Sequence, residues 1–443
     1  MVVPSPIKLL LISLVIWSFI FAQIPVVYLY SGSAFFPVLT LLLYIVCFIL
    51  GVLSLRGVSI KSINYSSNKK LKQVIGFFFI IGCIGVLLKI YVGFFKSGIF
   101  VAEDIFEQRI ENMGKELSGG GVGVLASMLF PFAYVAMLMA IYNYKIFNKL
   151  FLIVICLFGF YPMIETIFMG GRTILALLGS TLLFVALASF NKNTKTLFFN
   201  VNFSKIKLFS FPRFILKKTI IIPVLILGIL FVSYSIDVIN KRVTRYGYGN
   251  TTLQVWEQKN YQWVKFDKDF KTEYLRASED EKAKMVGLYS LKHYFAHGMI
   301  EYVRLVNHLE STTGYYYGQY EFNVFFKFFR SFGIPLKSAK ELNGIVERKA
   351  VYQTFWGPFY IDFGMFGVVL IFFWGRFVKR IYVYAKRGNT EYVVFYCYLA
   401  TIIVTSAFIN FLLGSSSYYL FAFLTSLLFF KFWPNNLVLK LKN

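Results

Sequence analysis

The sequence has 443 residues, of which 58% are hydrophobic and 15% are charged, and its mean hydropathy is +0.64. A water-soluble protein of this length does not need so much apolar surface, so the composition excludes a soluble enzyme and indicates a membrane protein. The formal net charge is +25. These charges lie mainly between the apolar runs, so they need no nucleic-acid partner.

Ten apolar runs follow one another along the chain, and each is read as a helix that crosses the membrane. A spanning helix needs roughly 20 mainly apolar residues, and only helices and closed barrels satisfy their backbone in lipid. The first run is too long for a cleavable signal and no cleavage site follows it, so it is predicted to stay in the protein as a membrane span. The predicted spans are 7–30, 34–55, 71–95, 122–144, 150–169, 173–190, 219–238, 358–377, 392–412 and 418–432.

One long polar insert, residues 240–355, interrupts the apolar runs. It contains all three histidines and 18 of the 46 lysines and arginines. We therefore predict an all-α polytopic membrane protein with about ten transmembrane helices and one large helical loop. Residues 1–239 carry seven spans, residues 240–355 form the loop with its amphipathic helices, and residues 356–443 carry the last three spans.

The lysines and arginines of the short connections predict the orientation, because positive loops stay in the cytoplasm. With the N-terminus inside, the inner segments hold 23 of these residues, whereas the short outer loops hold four beside five acidic residues. Both termini are then cytoplasmic and the long loop is external. All four cysteines lie within apolar runs, so no disulfide framework is predicted. The pattern is typical of a bacterial inner-membrane protein with a periplasmic loop.

Ionisable residues inside spans are costly and are functional candidates. The four ionisable residues within the predicted spans lie toward the outer ends of their helices. Arg172 begins the sixth span at the same face, after a predicted Gly-Gly turn. The alternatives are a structural Glu165–Arg172 pair and charges that reach out to water from helix ends. The ionisable residues within spans are Lys89, Glu165, Asp237 and Asp362.

The segment 288–309 predicts an amphipathic helix with a polar stripe. Three interpretations stay open for the stripe: a solvated face, a metal site on histidines four residues apart, or an active-site wall. In the third, His297 or Glu301 is the general base and Arg304 binds an anion. The stripe consists of His293, His297, Glu301, Arg304 and His308.

A second amphipathic helix is predicted over 319–332. Its phenylalanines share one side, which suits a helix in the interfacial plane of the membrane, although they could equally pack on the loop's own core. The loop is also rich in Tyr and Trp. These rings suit the flat faces of sugars or an aromatic belt at the membrane surface.

Several of these features resemble the Wzy-type oligosaccharide repeat-unit polymerases of bacteria, which build O-antigen and related glycans. Besides the layout of spans and loop, they include Arg109 before the Gly-rich stretch 119–123 and Gly170-Gly171-Arg172 at the start of a helix. The segment 351–367, which enters the span after the long loop, adds to the resemblance.

The resemblance implies a GT-C-like, inverting glycosyltransferase that needs no metal or other cofactor. Such an enzyme moves a glycan from undecaprenyl pyrophosphate onto a new lipid-linked repeat unit at the periplasmic face. Its partners are the two undecaprenyl-pyrophosphate-linked oligosaccharides, membrane lipids and a chain-length regulator, with no nucleic acid. Arginines in the outer loops are expected to bind pyrophosphate. The candidates are Arg109, Arg172, Arg242, Arg245, Arg304 and Arg330.

The chemistry fits this layout, because fixed guanidiniums can stabilise the charge that develops on the leaving pyrophosphate. We expect Arg172 and Arg304 to bind pyrophosphate, and His297 with Glu301 to activate the acceptor hydroxyl. Two other functions stay open. An O-antigen ligase shares the architecture and the donor. A lipid-linked oligosaccharide flippase would be expected to have more spans and a charged central cavity.

Overall fold

The computed structural model describes residues 3–29, 32–55, 68–96, 120–168, 172–193, 233–234, 264–310, 315–330, 333–338, 341–342, 344–346 and 354–433. Within these ranges the chain forms α-helices joined by turns, together with a two-stranded sheet.

The helices before the long loop are mostly runs of Leu, Ile, Val and Phe, whose backbone groups bond within the helix as an apolar solvent requires. The elements of this part are α1 (Pro6–Phe21), β1 (Val26–Tyr28), α2 (Phe35–Leu53), α3 (Asn68–Tyr91), α4 (Gly120–Leu129), α5 (Pro131–Tyr142), α6 (Lys149–Phe168) and α7 (Thr173–Asn193).

The loop and the C-terminal part contribute the remaining elements. They are β2 (Val264–Phe266), α8 (Lys268–Arg276), α9 (Glu279–Glu310), α10 (Asn323–Arg330), α11 (Trp356–Phe363), α12 (Gly367–Lys386), α13 (Thr390–Val404) and α14 (Ser417–Phe432). Helix α9 starts at a capping box, in which the Ser278 N–H donates to the Glu281 carboxylate at 2.9 Å.

Five helical stretches in the described ranges are long and apolar enough to cross a membrane. They are Phe35–Leu53, Asn68–Lys96, Gly121–Tyr142, Lys149–Phe168 and Trp356–Lys386. Pro6–Phe21, Thr173–Ser189 and Thr390–Val404 are shorter apolar helices. The architecture is consistent with the predicted all-α multi-pass membrane protein. The predicted span 219–238 lies outside the described residues except for 233 and 234.

The first predicted span is wrong in its second half. Helix α1 ends at Phe21, and Val26–Tyr28 form strand β1, which pairs antiparallel with β2 so that Val27 lies opposite Lys265. Pro25 explains the end of the helix, because proline has no N–H and keeps the preceding residue out of the helical conformation.

In three further predicted spans the α-helix is broken, although two of them still lie within the candidate spans Gly121–Tyr142 and Trp356–Lys386. Residues 122–144 divide between α4 and α5 at Pro131, and residues 358–377 divide between α11 and α12 at Gly364, which adopts φ +49°. The span 392–412 ends as a helix at Val404. The residues that follow, 405–416, form turns in which the side chains of Ser406, Asn410 and Ser416 are buried.

Helices α5 and α13 lie at the centre of the bundle and are buried over almost their whole length. Helices α2 and α12 approach each other so closely that glycine is required at the contact. A Cβ atom added at Gly51 would meet the Phe372 carbonyl, and one at Gly375 would meet the Phe48 carbonyl. These close approaches place the helix backbones directly against each other.

Helix α9 of the loop lies among the membrane helices α1, α2 and α11. The Trp17 indole N–H donates to the Ala296 carbonyl at 2.9 Å, and the hydroxyls of Thr40 and Tyr302 are 2.9 Å apart. We call the end of the bundle that carries these contacts the loop end. It also contains the start of α7 and the turns between α13 and α14.

Candidate active site at the loop end of the bundle

Four of the five residues of the polar stripe of α9 are buried and His308 is half-buried, so the solvated-face interpretation is wrong. His293, His297, Glu301 and Arg304 are each exposed by 8% or less. The segment after α1 covers them, and the opposite face of α9, with Tyr302 and Val306, is buried as well. The prediction that 288–309 is a helix with these residues on one face is confirmed.

The two histidines stack on each other and on neighbouring aromatic rings. The ring centroids of His293 and His297 are 4.9 Å apart, and His293 also stacks on Tyr28 and Tyr289. His297 Nδ1 lies 2.6 Å from the His293 carbonyl oxygen. Because a carbonyl only accepts, Nδ1 carries the proton, and Nε2 is the basic nitrogen of the neutral ring.

Glu301 and Arg304 form a buried ion pair. Arg304 Nη1 donates to Glu301 Oε1 at 2.5 Å, and its Nε and Nη2 both donate to the Leu29 carbonyl. Each side chain is 5% exposed. The guanidinium therefore neutralises Glu301 and fixes the chain after β1 to α9.

Arg172, at the start of α7, also contacts α9, but at a position nearer the N-terminus of α9 than Glu301 and Arg304. Its guanidinium carbon lies 4.7 Å from the centre of the Tyr294 ring, and this ring is 6.2 Å from the His297 ring in an edge-on arrangement. Among the described residues no carboxylate forms an ion pair with Arg172. Tyr294 precedes Arg304 by ten residues, or about 15 Å along the helix axis, farther than one pyrophosphate group extends.

Glu165 pairs with Lys89, and not with Arg172 as the sequence had suggested as one alternative. Lys89 Nζ lies 3.5 Å from Glu165 Oε1 and also 5.1 Å from the centre of the Phe130 ring. The Glu165–Arg172 alternative is therefore wrong. Glu165 is instead neutralised from α3, and the Arg172 guanidinium contacts Tyr294 of α9.

A second buried polar group joins the loop to the bundle. The Asp362 carboxylate accepts from the backbone N–H groups of Tyr320 and Glu321 at 3.0 and 2.8 Å, and the Glu321 carboxyl accepts from Asn410 Nδ2. The sequence singled out Asp362 but not Glu321 or Asn410. An acid within the aromatic stretch Tyr320-Glu321-Phe322 was the available signal.

The remaining predicted site residues are less informative. Arg330 donates to the Lys337 carbonyl and to Asn323 Oδ1, and so closes the end of α10, which is shorter than the predicted helix 319–332. The α10 phenylalanines pack partly against the bundle, with Phe325 6.1 Å from Phe421. Arg109, Arg242 and Arg245 lie outside the described residues.

Within the part of the chain that the structure describes, no group of three or more His, Cys, Asp or Glu residues could hold a metal ion. No protein-family model, curated protein or solved structure matches this chain. The coarse class defined by the helices is an all-α protein of membrane type. What the site does is argued from its geometry.

Proposed function

We propose that this protein is a membrane glycosyltransferase that polymerises lipid-linked oligosaccharide repeat units. The observation that carries the proposal is the contact of Arg172 with Tyr294 beside His297. It combines a permanent cation, an aromatic ring and a basic nitrogen at the loop end of an apolar bundle. These are the groups that a pyrophosphate, a sugar and an acceptor hydroxyl require.

Arg172 is the proposed pyrophosphate ligand. When the bond between the anomeric carbon and the pyrophosphate oxygen breaks, the oxygen takes both electrons and becomes negative. A guanidinium held in place by stacking stabilises this charge without reorganisation and offers two parallel N–H donors to a phosphate. The contacts of Arg172 within the described residues leave its N–H groups for a phosphate, because no carboxylate pairs with it.

His297 is the proposed general base. The acceptor hydroxyl oxygen forms the new bond to the anomeric carbon, and its proton passes to His297 Nε2. The hydrogen bond from Nδ1 to the His293 carbonyl fixes this tautomer. Stacking on His293 holds the ring orientation.

We assign Glu301 and Arg304 a positioning role in place of direct substrate contact. Their charges satisfy each other, and both Arg304 donors to Leu29 hold the segment after α1 against α9. Replacing Arg304 with Ala leaves Glu301 buried without its cation, which costs several kcal/mol. Loss of polymer in that variant would therefore follow from either role, and Arg172 is the more selective test.

The proposal includes the finer architecture expected from the sequence. It comprises about ten spans, a GT-C-like arrangement, cytoplasmic termini, and a periplasmic loop in a bacterial inner membrane. Lysines and arginines at the end opposite the loop end support this orientation, among them Lys145, Lys149, Arg376 and Lys386. The proposed substrates are undecaprenyl-pyrophosphate-linked oligosaccharides as donor and acceptor, with a chain-length regulator as a further partner.

The test replaces Arg172 in a strain that lacks the chromosomal copy of this protein. We expect Arg172→Ala to lower polymerisation by about 100-fold or more, because one preorganised donor to the developing charge is lost. Lipopolysaccharide gels should then show single repeat units on the lipid A core. Arg172→Lys should retain part of the activity, since the charge stays but the planar donor geometry does not.

Arg276→Ala is the matched control, because Arg276 is an exposed arginine of α8 in the same loop. It should give normal polymer. Normal chain lengths from Arg172→Ala would overturn the proposed role. A deletion strain that accumulates free lipid-linked polymer would identify a ligase instead.

A further inference from the structure

The junction between the loop and the bundle contains a carboxyl group that the proposed reaction does not use. Glu321 has no exposed surface and lies in the turn 315–322 that precedes α10, outside the five candidate spans. No lysine or arginine among the described residues forms an ion pair with it. A buried charge without a partner costs far more than a neutral group, so the bound proton is part of the structure.

Asn410 determines what Glu321 can bind. The Leu412 N–H donates to Asn410 Oδ1 at 2.8 Å, which fixes the amide so that Nδ2 faces Glu321. Nδ2 lies 2.9 and 2.8 Å from the two carboxyl oxygens. An N–H donor pointing at the carboxyl disfavours a metal cation at this position, because such cations need oxygen ligands.

Asp362, which belongs to α11, lies close to Glu321. Its carboxylate accepts from the backbone N–H groups of Tyr320 and Glu321, so it is satisfied as an anion. Burial raises the pKa of Glu321 from 4.5 to about 8; the Asn410 hydrogen bond opposes this change, and the Asp362 charge adds to it. Burial and the Asp362 charge therefore favour a neutral Glu321 at neutral pH.

An independent observation points to the same site. The Tyr398 hydroxyl of α13 is buried, has no hydrogen-bond partner among the described residues, and lies within electrostatic range of the Glu321 carboxyl. The Tyr419 hydroxyl of α14 is likewise unpartnered in these ranges and interacts with Tyr398 and with Glu165. Buried unpaired hydroxyls are costly, and one beside a carboxyl can accept or donate a proton.

We infer that Glu321, enclosed by Asn410, Asp362 and Tyr398, is a proton-binding site at the junction between the loop and the helix bundle. With the proton bound, the Glu321 side chain is neutral and the turn 315–322 stays packed on α11. When the carboxyl O–H bond breaks and the proton leaves to solvent, a carboxylate remains beside Asp362. This charge favours withdrawal of the turn from the bundle. The inference does not depend on the proposed glycosyltransferase activity.

The test counts protons on the full-length protein in lipid nanodiscs, titrated from below to above about pH 8. Glu321→Gln should release one proton fewer than the wild type over this range. The infrared absorption of a protonated carboxylic acid should be present in the wild type near neutral pH and weaker in the variant. Glu341→Gln, at an exposed glutamate of the same loop, should behave as the wild type does.

Tyr398→Phe keeps Glu321 and removes only the neighbouring hydroxyl. It should move the midpoint of the carboxyl absorption to higher pH, because the carboxylate loses a potential donor. An infrared spectrum of the wild type with no protonated-carboxylic-acid band near neutral pH would overturn the inference even if the Gln variant failed to fold. A midpoint unchanged in Tyr398→Phe would remove Tyr398 from the site.

Discussion

Individual ionisable residues in this protein differ according to whether a countercharge lies within reach. Lys89 forms an ion pair with Glu165, and Arg304 forms one with Glu301, within the helix bundle. Glu321 has an amide and a phenol beside it but no cation among the described residues. The countercharge therefore stabilises the two ion pairs, whereas burial without a cation favours the protonated form of Glu321.

The stability of the protein should depend on Glu321 in a defined pH window. The folded state holds this proton more tightly than the unfolded chain, so unfolding releases it between about pH 4.5 and about 8. The free energy of unfolding then falls as the pH rises through this range. Glu321→Gln removes that dependence. Its melting temperature relative to the wild type should increase from about pH 4.5 to about pH 8 in thermal unfolding of the detergent-solubilised protein. Parallel profiles of the two proteins would contradict this expectation.

Helical spacing predicted which residues of 288–309 share a face, and the structure confirms it. It could not predict what covers that face, because the covering groups, Tyr28 and Leu29, lie far away in the sequence. The partner of Glu165 was missed for the same reason. Asn410 was placed within a predicted helix, and only the end of α13 at Val404 frees its side chain to reach Glu321.

The elements pack by close backbone contact as well as by apolar area. Helices α2 and α12 meet at Gly51 and Gly375, where the structure leaves no room for a side chain. Hydropathy predicted both helices, but it carries no information about which faces meet. It also missed the interruptions at Pro131 and Gly364, because a short break does not lower the average hydropathy of a span.

A pair of matched glycine substitutions tests this contact. Gly375→Ala places a Cβ against the Phe48 backbone, so one helix must shift, at a cost of roughly 1–3 kcal/mol. Gly76→Ala, in α3, meets nothing within 4 Å and should be neutral or stabilising by up to about 1 kcal/mol. Thermal unfolding of the two purified variants compares them directly. Equal melting temperatures would contradict the α2–α12 packing.

For the whole molecule, the orientation in the membrane is the property that charge counting predicted most directly. The test uses single cysteines in a variant whose four native cysteines are replaced, and a membrane-impermeant maleimide on spheroplasts. Thr272→Cys, exposed at the loop end, should be labelled in intact spheroplasts. Lys145→Cys, exposed at the opposite end, should react only after the membrane is opened. The reverse result would place the proposed site in the cytoplasm.

The pairing of β1 with β2 has a consequence for biogenesis. Val26 lies opposite Phe266, more than half the chain length later. When the ribosome has made the first two helices, the strand that will pair with Val26–Tyr28 has not yet been synthesised. The Ala296 carbonyl, which accepts the hydrogen bond from the Trp17 indole, is also still missing. In the newly inserted N-terminal hairpin, the backbone of β1 and the Trp17 indole therefore lack their hydrogen-bond partners until the loop has been synthesised. A stalled or truncated nascent chain should be a preferred target for membrane quality-control proteases.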